Sequence, residues 1–397
     1  MNGHDVLVVT HPPFEGGVPA KTRILCHHLA ALGHRVTVAW YATLAHNPEL
    51  NVPSWRLHTG QRPMVGSTVA FDQFPGAAVG CWLPELEAPY YRFSSRWSRL
   101  IEQHDRHIAV GGPPMVANIL AQAGVPHLLW CASDVMADRL DRQARMPLPR
   151  AIVDTIITRP WLRAQQAFIL ARSSLILGVS HYTLDRLSKV GAVASSLEYL
   201  PIPVDSARFT PPATSPTGEI VGFAARFEDP RKNLPMLLEA FALLRQRRPQ
   251  ARLRLAGSAP SPQTLEQVQR LGQSDAVDFA GALAFQDLPE FYRSLSVFAL
   301  PSHQEGLCLA GLEAMACGVP VVSTPCGGPA DFVHSGKSGI LLADWEPQTM
   351  AKGIEQALIE RKTLSIGAIE LIRAQFSPAA FSDGISRAWQ RVWGEAP

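Results

Sequence analysis

The chain lacks several features that would narrow its class quickly. No run of eighteen or more apolar residues occurs, so no segment reads as a membrane-crossing helix. The start, Met1-Asn2-Gly3-His4-Asp5, has no charged-then-apolar order of a secretion signal, and the expected location is cytoplasmic. The six cysteines (Cys26, Cys81, Cys131, Cys308, Cys317, Cys326) are scattered without Cys-x-x-Cys spacing. They read as reduced thiols rather than a disulfide set or a zinc site. The formal net charge is only +2, which argues against a general nucleic-acid binder. The first strand-to-helix turn carries no Gly-x-Gly-x-x-Gly, which counts against a dinucleotide dehydrogenase.

The 397 residues exceed one typical core, so two domains are expected; 47% hydrophobic and 18% charged residues are ordinary for a globular chain. Val6-Leu7-Val8-Val9-Thr10 reads as a buried strand, followed by the loop His11-Pro12-Pro13-Phe14-Glu15-Gly16-Gly17. A helix then begins around Pro19, with Leu25, Leu29 and Leu32 on one face, and stops at Gly33. Residues 35–40 form the second strand, so the first unit is β-α-β with its crevice at the strand C-terminal ends. Residues 47–100 carry many Pro, Gly and aromatic residues, among them Trp55, Phe71, Phe74, Trp82, Tyr90, Tyr91, Phe93 and Trp97. Most of these aromatics read as core, and the stretch as connecting strands and loops. Residues 127–130 and 174–180 are later strands of the first domain. A Pro/Thr/Ser-rich link follows over 211–218, and new α/β units start at Glu219. Strands are expected there at 220–224, 251–256, 277–279, 297–300 and 319–323.

The most informative segment is 301–322. A buried strand stops at Pro301, a polar loop carries Glu305, and a small-residue helix runs from about Leu309 until Gly318 and Pro320 end it. A helix N-terminus offers unpaired N–H groups and partial positive charge, suited to a phosphate. Glu305 stands just before it, and Glu313 lies about one turn into it. Each carboxylate accepts only, and can take a pair of neighbouring hydroxyls. A phosphate flanked by two polyols describes a nucleotide sugar. A second cluster, Phe223-Ala224-Ala225-Arg226-Phe227-Glu228-Asp229-Pro230-Arg231-Lys232-Asn233, sets cations at a strand's C-terminal edge.

Glu305 and Glu313, framed by Pro301-Ser302 and Glu313-Ala314-Met315-Ala316-Cys317-Gly318-Val319-Pro320, resemble the E-x7-E signature of the retaining glycosyltransferases of family four. The resemblance implies the GT-B fold: two Rossmann-like α/β domains facing across an interdomain cleft. It implies an acceptor-side domain over 1–210, a nucleotide-sugar domain over 219–378 and a C-terminal helix, 379–397, packing back on the first domain. The family's first Glu contacts donor-sugar hydroxyls and its second the ribose, which carries these roles to Glu305 and Glu313. Its Arg and Lys on the donor pyrophosphate match Arg226 and Lys232, where fixed cations would stabilise the departing diphosphate. Arg226, Lys232 and Glu305 are thus the implied catalytic residues. Gly17, Glu305, Gly306, Leu307, Cys308, Leu309 and Glu313 are the implied donor-binding residues.

Three differences from the family stand out. Cys308 takes the place of the second Gly in Glu-Gly-Phe-Gly, and Asp331 replaces the Glu of Gly-Gly-x-x-Glu in the loop beginning Cys326-Gly327-Gly328. Ser133-Asp134 follows Trp130-Cys131-Ala132, where the family generally has a sugar-contacting His. No Asp-x-Asp triplet occurs, so metal-independent transfer is expected, with no cofactor beyond the nucleoside-diphosphate sugar as co-substrate. The implied reaction moves a hexose to an acceptor hydroxyl on a glycan, a lipid-linked sugar or a small metabolite. No nucleic-acid partner and no transmembrane segment are expected, and peripheral contact with a membrane stays open. Two other readings remain: a non-catalytic nucleotide-sugar binder of this fold, which turnover with a donor panel separates, and a sugar-nucleotide 2-epimerase or phosphorylase.

Overall fold

The computed structural model describes residues 3–12, 16–137, 139, 147–214 and 216–397. Met1, Asn2, loop residues 13–15 and linker residue Ser215, all used above, lie outside the described residues. The chain parts into two compact units, one comprising Met1–Leu200 with Ser382–Pro397 and the other Pro201–Phe381.

The first unit is built on β1 (Asp5–Thr10), β2 (Arg35–Tyr41), β3 (Val65–Ala70), β4 (Phe74–Val79), β5 (Arg106–Gly111), β6 (Leu128–Cys131), β7 (Leu175–Gly178) and β8 (Leu197–Tyr199). They hydrogen-bond in the order β3-β4-β2-β1-β5-β6-β7-β8. All neighbours pair in parallel except β3 with β4. Val6, Leu7 and Val8, and every residue of β6 and β7, are buried, as strands covered by helices on both faces must be. The helix Gly17–Ala31 buries Leu25 and Leu29 as its apolar spacing predicts. Leu32, expected on the same face, is instead the C-terminal cap and 41% exposed, because the chain turns off at Gly33. Among the aromatics of 47–100, Phe74, Tyr91 and Trp97 are core, whereas Trp55 and Trp82 are exposed. The helix Pro378–Trp393 returns the C-terminus to this unit, where Trp389 stacks on His34 at 4.9 Å.

The second unit contains β9 (Ile220–Ala225), β10 (Arg252–Gly257), β11 (Val277–Gly281), β12 (Val297–Leu300), β13 (Val321–Ser323) and β14 (Gly339–Leu341). Their order is β11-β10-β9-β12-β13-β14, every pair parallel. This doubly wound order reverses direction between β9 and β12, and ligands of such sheets bind outside the strand C-termini at that point. The helices Leu234–Arg247 and Pro347–Ile359 cover the sheet with Leu237, Phe241, Leu244, Met350 and Ile354. Burying a side chain the size of Phe241 contributes about 1.5–3 kcal/mol. That core fixes the spacing of β9 and β12, and with it the two loops discussed next.

Candidate functional site

Two loops meet at the switch point of the second sheet. The one after β9 holds Arg226 and makes a single tight turn at Pro230–Lys232, where Asp229 caps the Arg231 N–H at 3.1 Å. The one after β12 holds Ser302, His303 and Glu305. The His303 N–H donates to the Arg231 carbonyl at 2.7 Å and joins the loops through backbone. Between them, Lys232 Nζ donates to Glu305 Oε1 at 2.7 Å, and the Ser302 hydroxyl donates to the same oxygen at 2.7 Å. Glu305 Oε2 takes part in neither of these bonds, and Nζ, with three N–H donors, has two beyond the Glu305 bond. Burial alone would push the Lys232 ammonium down, but the Glu305 carboxylate, together with Cys308 and Asp229, outweighs it and holds Lys232 above its usual value. Lys232 therefore stays charged.

The backbone of the Glu305 loop is clamped by the loop following β13. The Glu305 N–H donates to the Cys326 carbonyl at 2.8 Å, and the Gly328 N–H donates to the Glu305 carbonyl at 3.0 Å. A Cβ on Gly328 would lie 2.3 Å from the Gly306 carbonyl oxygen, so only glycine allows this approach. Ser302 is fully buried, and its carbonyl accepts from Thr324 Oγ1 at 2.5 Å and Trp345 Nε1 at 3.0 Å.

Leu307 is buried, and Leu309 opens the helix Leu309–Ala316. Cys308 caps that helix at φ 77°, a left-handed conformation that favours glycine and costs another residue about 1–2 kcal/mol. Burial pushes its thiol up, the Glu305 charge adds to the shift, and Lys232 opposes it. Glu313 is partly buried on the helix, and the Tyr292 hydroxyl donates to its Oε2 at 2.8 Å. Burial raises the Glu313 carboxyl to about 7, with the Tyr292 bond pulling the other way.

The structure thus gathers Lys232, Glu305, Gly306, Leu307, Cys308, Leu309 and Glu313 in one unit around a helix start. The Arg226 side chain is 73% exposed and lies 3.6 Å from Asp229 Oδ2, on the same loop as Lys232 and apart from the Lys232–Glu305 pair. Gly17 lies in the other unit, at the first residue of the helix Gly17–Ala31. Gly16 before it has φ 127°, and a Cβ on either glycine would meet nothing within 4 Å. Asp134 is committed to structure: it pairs with Arg186 and accepts from the Met136 and Ala137 N–H groups at 2.7 and 3.1 Å. Ser133 Oγ is buried with no hydrogen-bond partner among the described residues.

Sequence reasoning missed Ser302 and Tyr292, which aim the two glutamates. Ser302 is adjacent to the motif; Tyr292 comes from the helix Leu288–Arg293, and nothing local in the sequence ties it to Glu313. It also missed Lys21 in the first unit. Its Nζ donates to the Gly111 carbonyl at 2.8 Å and the Trp130 carbonyl at 3.0 Å, joining the ends of β5 and β6, and burial depresses it to about 7. A lysine in register with Leu25 and Leu29 on an apolar helix face was the available signal. The switch point of the first sheet, between β1 and β5, holds a cavity of about 270 Å³ lined by His11, Tyr41, Glu87, Tyr91, Gly112 and Arg139, among others. His11 Nδ1 and the Tyr41 hydroxyl are 2.7 Å apart, and Arg139 donates to Glu87 at 2.7 Å. A larger hollow of about 660 Å³ in the second unit is lined by Glu239, Arg245, Arg270 and their neighbours and includes none of the motif residues.

The second unit is thus a doubly wound α/β sheet with an acid–base pair, Lys232 and Glu305, at its switch point beside a helix N-terminus. Residues 218–360 match the family described as Glycosyl transferases group 1. Over 225 residues the chain is 32% identical to the GDP-mannose-dependent alpha-(1-6)-phosphatidylinositol monomannoside mannosyltransferase of Mycobacterium tuberculosis, covering 51% of this chain and 58% of that protein. It is 36% identical over 188 residues to the D-inositol 3-phosphate glycosyltransferase of Geodermatophilus obscurus, covering 43% and 42% of the two. The aligned part is thus about half the length of these relatives. The structure of sucrose-phosphate synthase from Thermosynechococcus elongatus is similar with TM-score 0.70 and 18% identity, over 99% of this chain and 100% of that one. Anabaena Alr3699/HepE in complex with UDP is similar with TM-score 0.71 and 17% identity, over 97% and 99%. The fold is GT-B.

Proposed function

We propose that the chain is a glycosyltransferase that moves a hexose from a nucleoside-diphosphate sugar to an acceptor hydroxyl, with retention at the anomeric carbon and without a divalent metal. The observation that carries the reading is the Lys232–Glu305 contact of 2.7 Å at the β9/β12 switch point, beside the start of the helix Leu309–Ala316. The donor diphosphate lies against that helix start, Lys232 and Arg226. Glu313 Oε1 takes a ribose hydroxyl, and Glu305 Oε2 takes a sugar hydroxyl. The acceptor oxygen bonds to the anomeric carbon as the bond from that carbon to the diphosphate oxygen breaks. The acceptor proton passes to the leaving phosphate, so charges and atoms balance without a protein nucleophile. Charge grows on the diphosphate in this step, and fixed cations already in place lower its energy. The relatives' names support GDP-mannose as a first donor to try, and the Anabaena structures with UDP and with UDP-glucose support these as the next.

The test is a thermal-shift panel of GDP and UDP sugars, followed by turnover with the best donor, with and without a strong chelator. Product with the donor's anomeric configuration, formed at equal rate in chelator, is expected. No stabilisation by any nucleotide sugar sinks the reading; loss of turnover in chelator, restored by manganese or magnesium, sinks its metal independence. A non-catalytic donor binder is the second reading, favoured by Cys308 at the left-handed position beside Lys232 and Glu305. Donor binding without transfer across an acceptor panel would select it.

A further inference from the structure

The strand β3 (Val65–Ala70) pairs with β4 on one side and ends the first sheet on the other. The direction of its peptide groups follows from the ladder. The Gly80 N–H donates to the Met64 carbonyl at 2.9 Å, whereas the Val79 carbonyl turns the other way, to the Ala42 N–H at 2.8 Å. Residues of an antiparallel pair alternate in direction, and the register runs unbroken from Val65 opposite Val79 to Ala70 opposite Phe74. Met64, Gly66, Thr68 and Ala70 thus face β4, and Val65, Ser67 and Val69 present their N–H and C=O groups to the free edge. Edge strands are ordinarily blunted by charge, proline, a bulge or a covering element. β3 has no charged residue, no proline and no bulge, and Val65, Ser67, Thr68 and Val69 are all exposed, Val69 by 62%.

We propose that β3 pairs antiparallel with β3 of a second copy of this chain, about a two-fold axis at Ser67, joining two N-terminal sheets into one. Only outward-facing residues can form the new ladder, and this axis pairs outward with outward. Val65 meets Val69 of the second copy, Ser67 meets Ser67, and Val69 meets Val65. The same register sets the exposed Arg62 opposite Asp72 of the second copy, and the exposed Asp72 opposite its Arg62. Ladder direction, valine pairs and opposite charges coincide in one register, which an unrelated strand has no reason to match. Each chain brings one β3, so the contact is isologous and closes at a dimer. Strands of six residues bury less than a standard interface, so the dimer depends on concentration. The inference is independent of the donor site.

Sedimentation velocity of the full chain over roughly 1–200 µM tests it, and a monomer–dimer equilibrium within that range is expected. Ser67→Pro removes the outward N–H at the axis and spares the ladder to β4, so it should weaken dimerisation about tenfold or more. Val65→Lys/Val69→Lys, which sets like charges opposite one another, should do the same. Melting curves that overlay the parent's confirm folding, and the lysine variant, changed only at exposed side chains, carries the test should Ser67→Pro not fold. Arg62→Asp and Asp72→Arg should each weaken the dimer several-fold, and an equimolar mixture of the two should regain it, because each charge again meets its opposite. A parent that stays monomeric over the range, or a dimer that survives the lysine variant, overturns the proposal. So does growth beyond a dimer, or a mixture that associates no better than either charge variant alone.

Discussion

In the C-terminal unit the groups at the switch point come from two short runs, 226–232 after β9 and 301–313 after β12, stitched by the His303–Arg231 backbone bond. In the N-terminal unit the equivalent position is lined by His11, Tyr41, Glu87, Gly112 and Arg139, each from a different segment of the chain. The C-terminal groups are matched in charge and fixed at 2.7 Å. The N-terminal lining mixes rings, an ion pair and backbone, and its floor is tied by Lys21. A site made from two runs is rigid toward one chemical group, here the proposed diphosphate sugar. A site assembled from many runs can change its shape by changing one loop at a time.

The comparison breaks first at Lys232. Lys232→Ala should lower turnover about a hundredfold, or about 3 kcal/mol, because charge on the departing diphosphate would lose its fixed counter-charge. Arg226→Ala should lower it too, by a smaller factor of about ten, since that side chain is solvent-exposed and has to swing to reach the donor. His11→Ala, in the other unit, should leave nucleoside-diphosphate affinity unchanged. Steady-state kinetics and calorimetry of the three variants check this, and near-normal turnover in folded Lys232→Ala would make the basic turn a solvated surface.

Glu313 sharpens the comparison through pH. Burial raises its carboxyl from 4.5 to about 7, so the folded protein holds a proton there that the unfolded chain has released between those values. Its contribution to stability is present below about 4.5 and is lost as pH rises through about 7. Glu313→Gln should remove that loss, visible as a flatter dependence of melting temperature on pH. The proposed ribose grip needs the carboxylate, so nucleoside-diphosphate affinity should rise with pH through about 7. Tyr292→Phe removes the hydroxyl that favours the charged form and should move this midpoint upward; an unmoved midpoint would mean that Glu313 does not titrate in binding.

The doubly wound order was legible where apolar runs and breakers are clean. The runs 297–300 and 220–224 emerge as β12 and β9, extended by at most one residue, and the helix starts at Leu309 as read. The β3–β4 hairpin was not legible: Pro75 and Gly76 sit inside β4, and the turn uses Phe71 and Asp72 at positive φ rather than glycine. Short strands β8 and β14, three residues each, carry too little periodicity to be read. Glu305, Lys232 and Glu313 could be found because they lie in contiguous motifs. Tyr292 and the N-terminal cavity could not, because each depends on which side of an element faces inward.

The smallest effect expected is at Cys308. With φ at 77°, Cys308→Gly relieves a left-handed strain and should stabilise the protein by up to about 1 kcal/mol, after glycine's greater freedom in the unfolded chain is offset. Cys308→Ala should give no such gain. Denaturant unfolding of the pair measures the difference, and equal stability would mean that the loop relaxes to accommodate either residue.

Titration calorimetry of Glu305→Gln and Glu313→Gln, with the free nucleoside diphosphate and with the intact donor, tests the proposed donor site most directly. Each lost charged hydrogen bond should cost roughly 1.5–3 kcal/mol, which calorimetry resolves. Glu313→Gln should weaken both ligands by a similar factor, because the ribose is common to them. Glu305→Gln should leave the free diphosphate nearly unchanged and weaken only the donor. Equal weakening of the free diphosphate by the two variants would contradict the assignment of Glu305 to the sugar and Glu313 to the ribose.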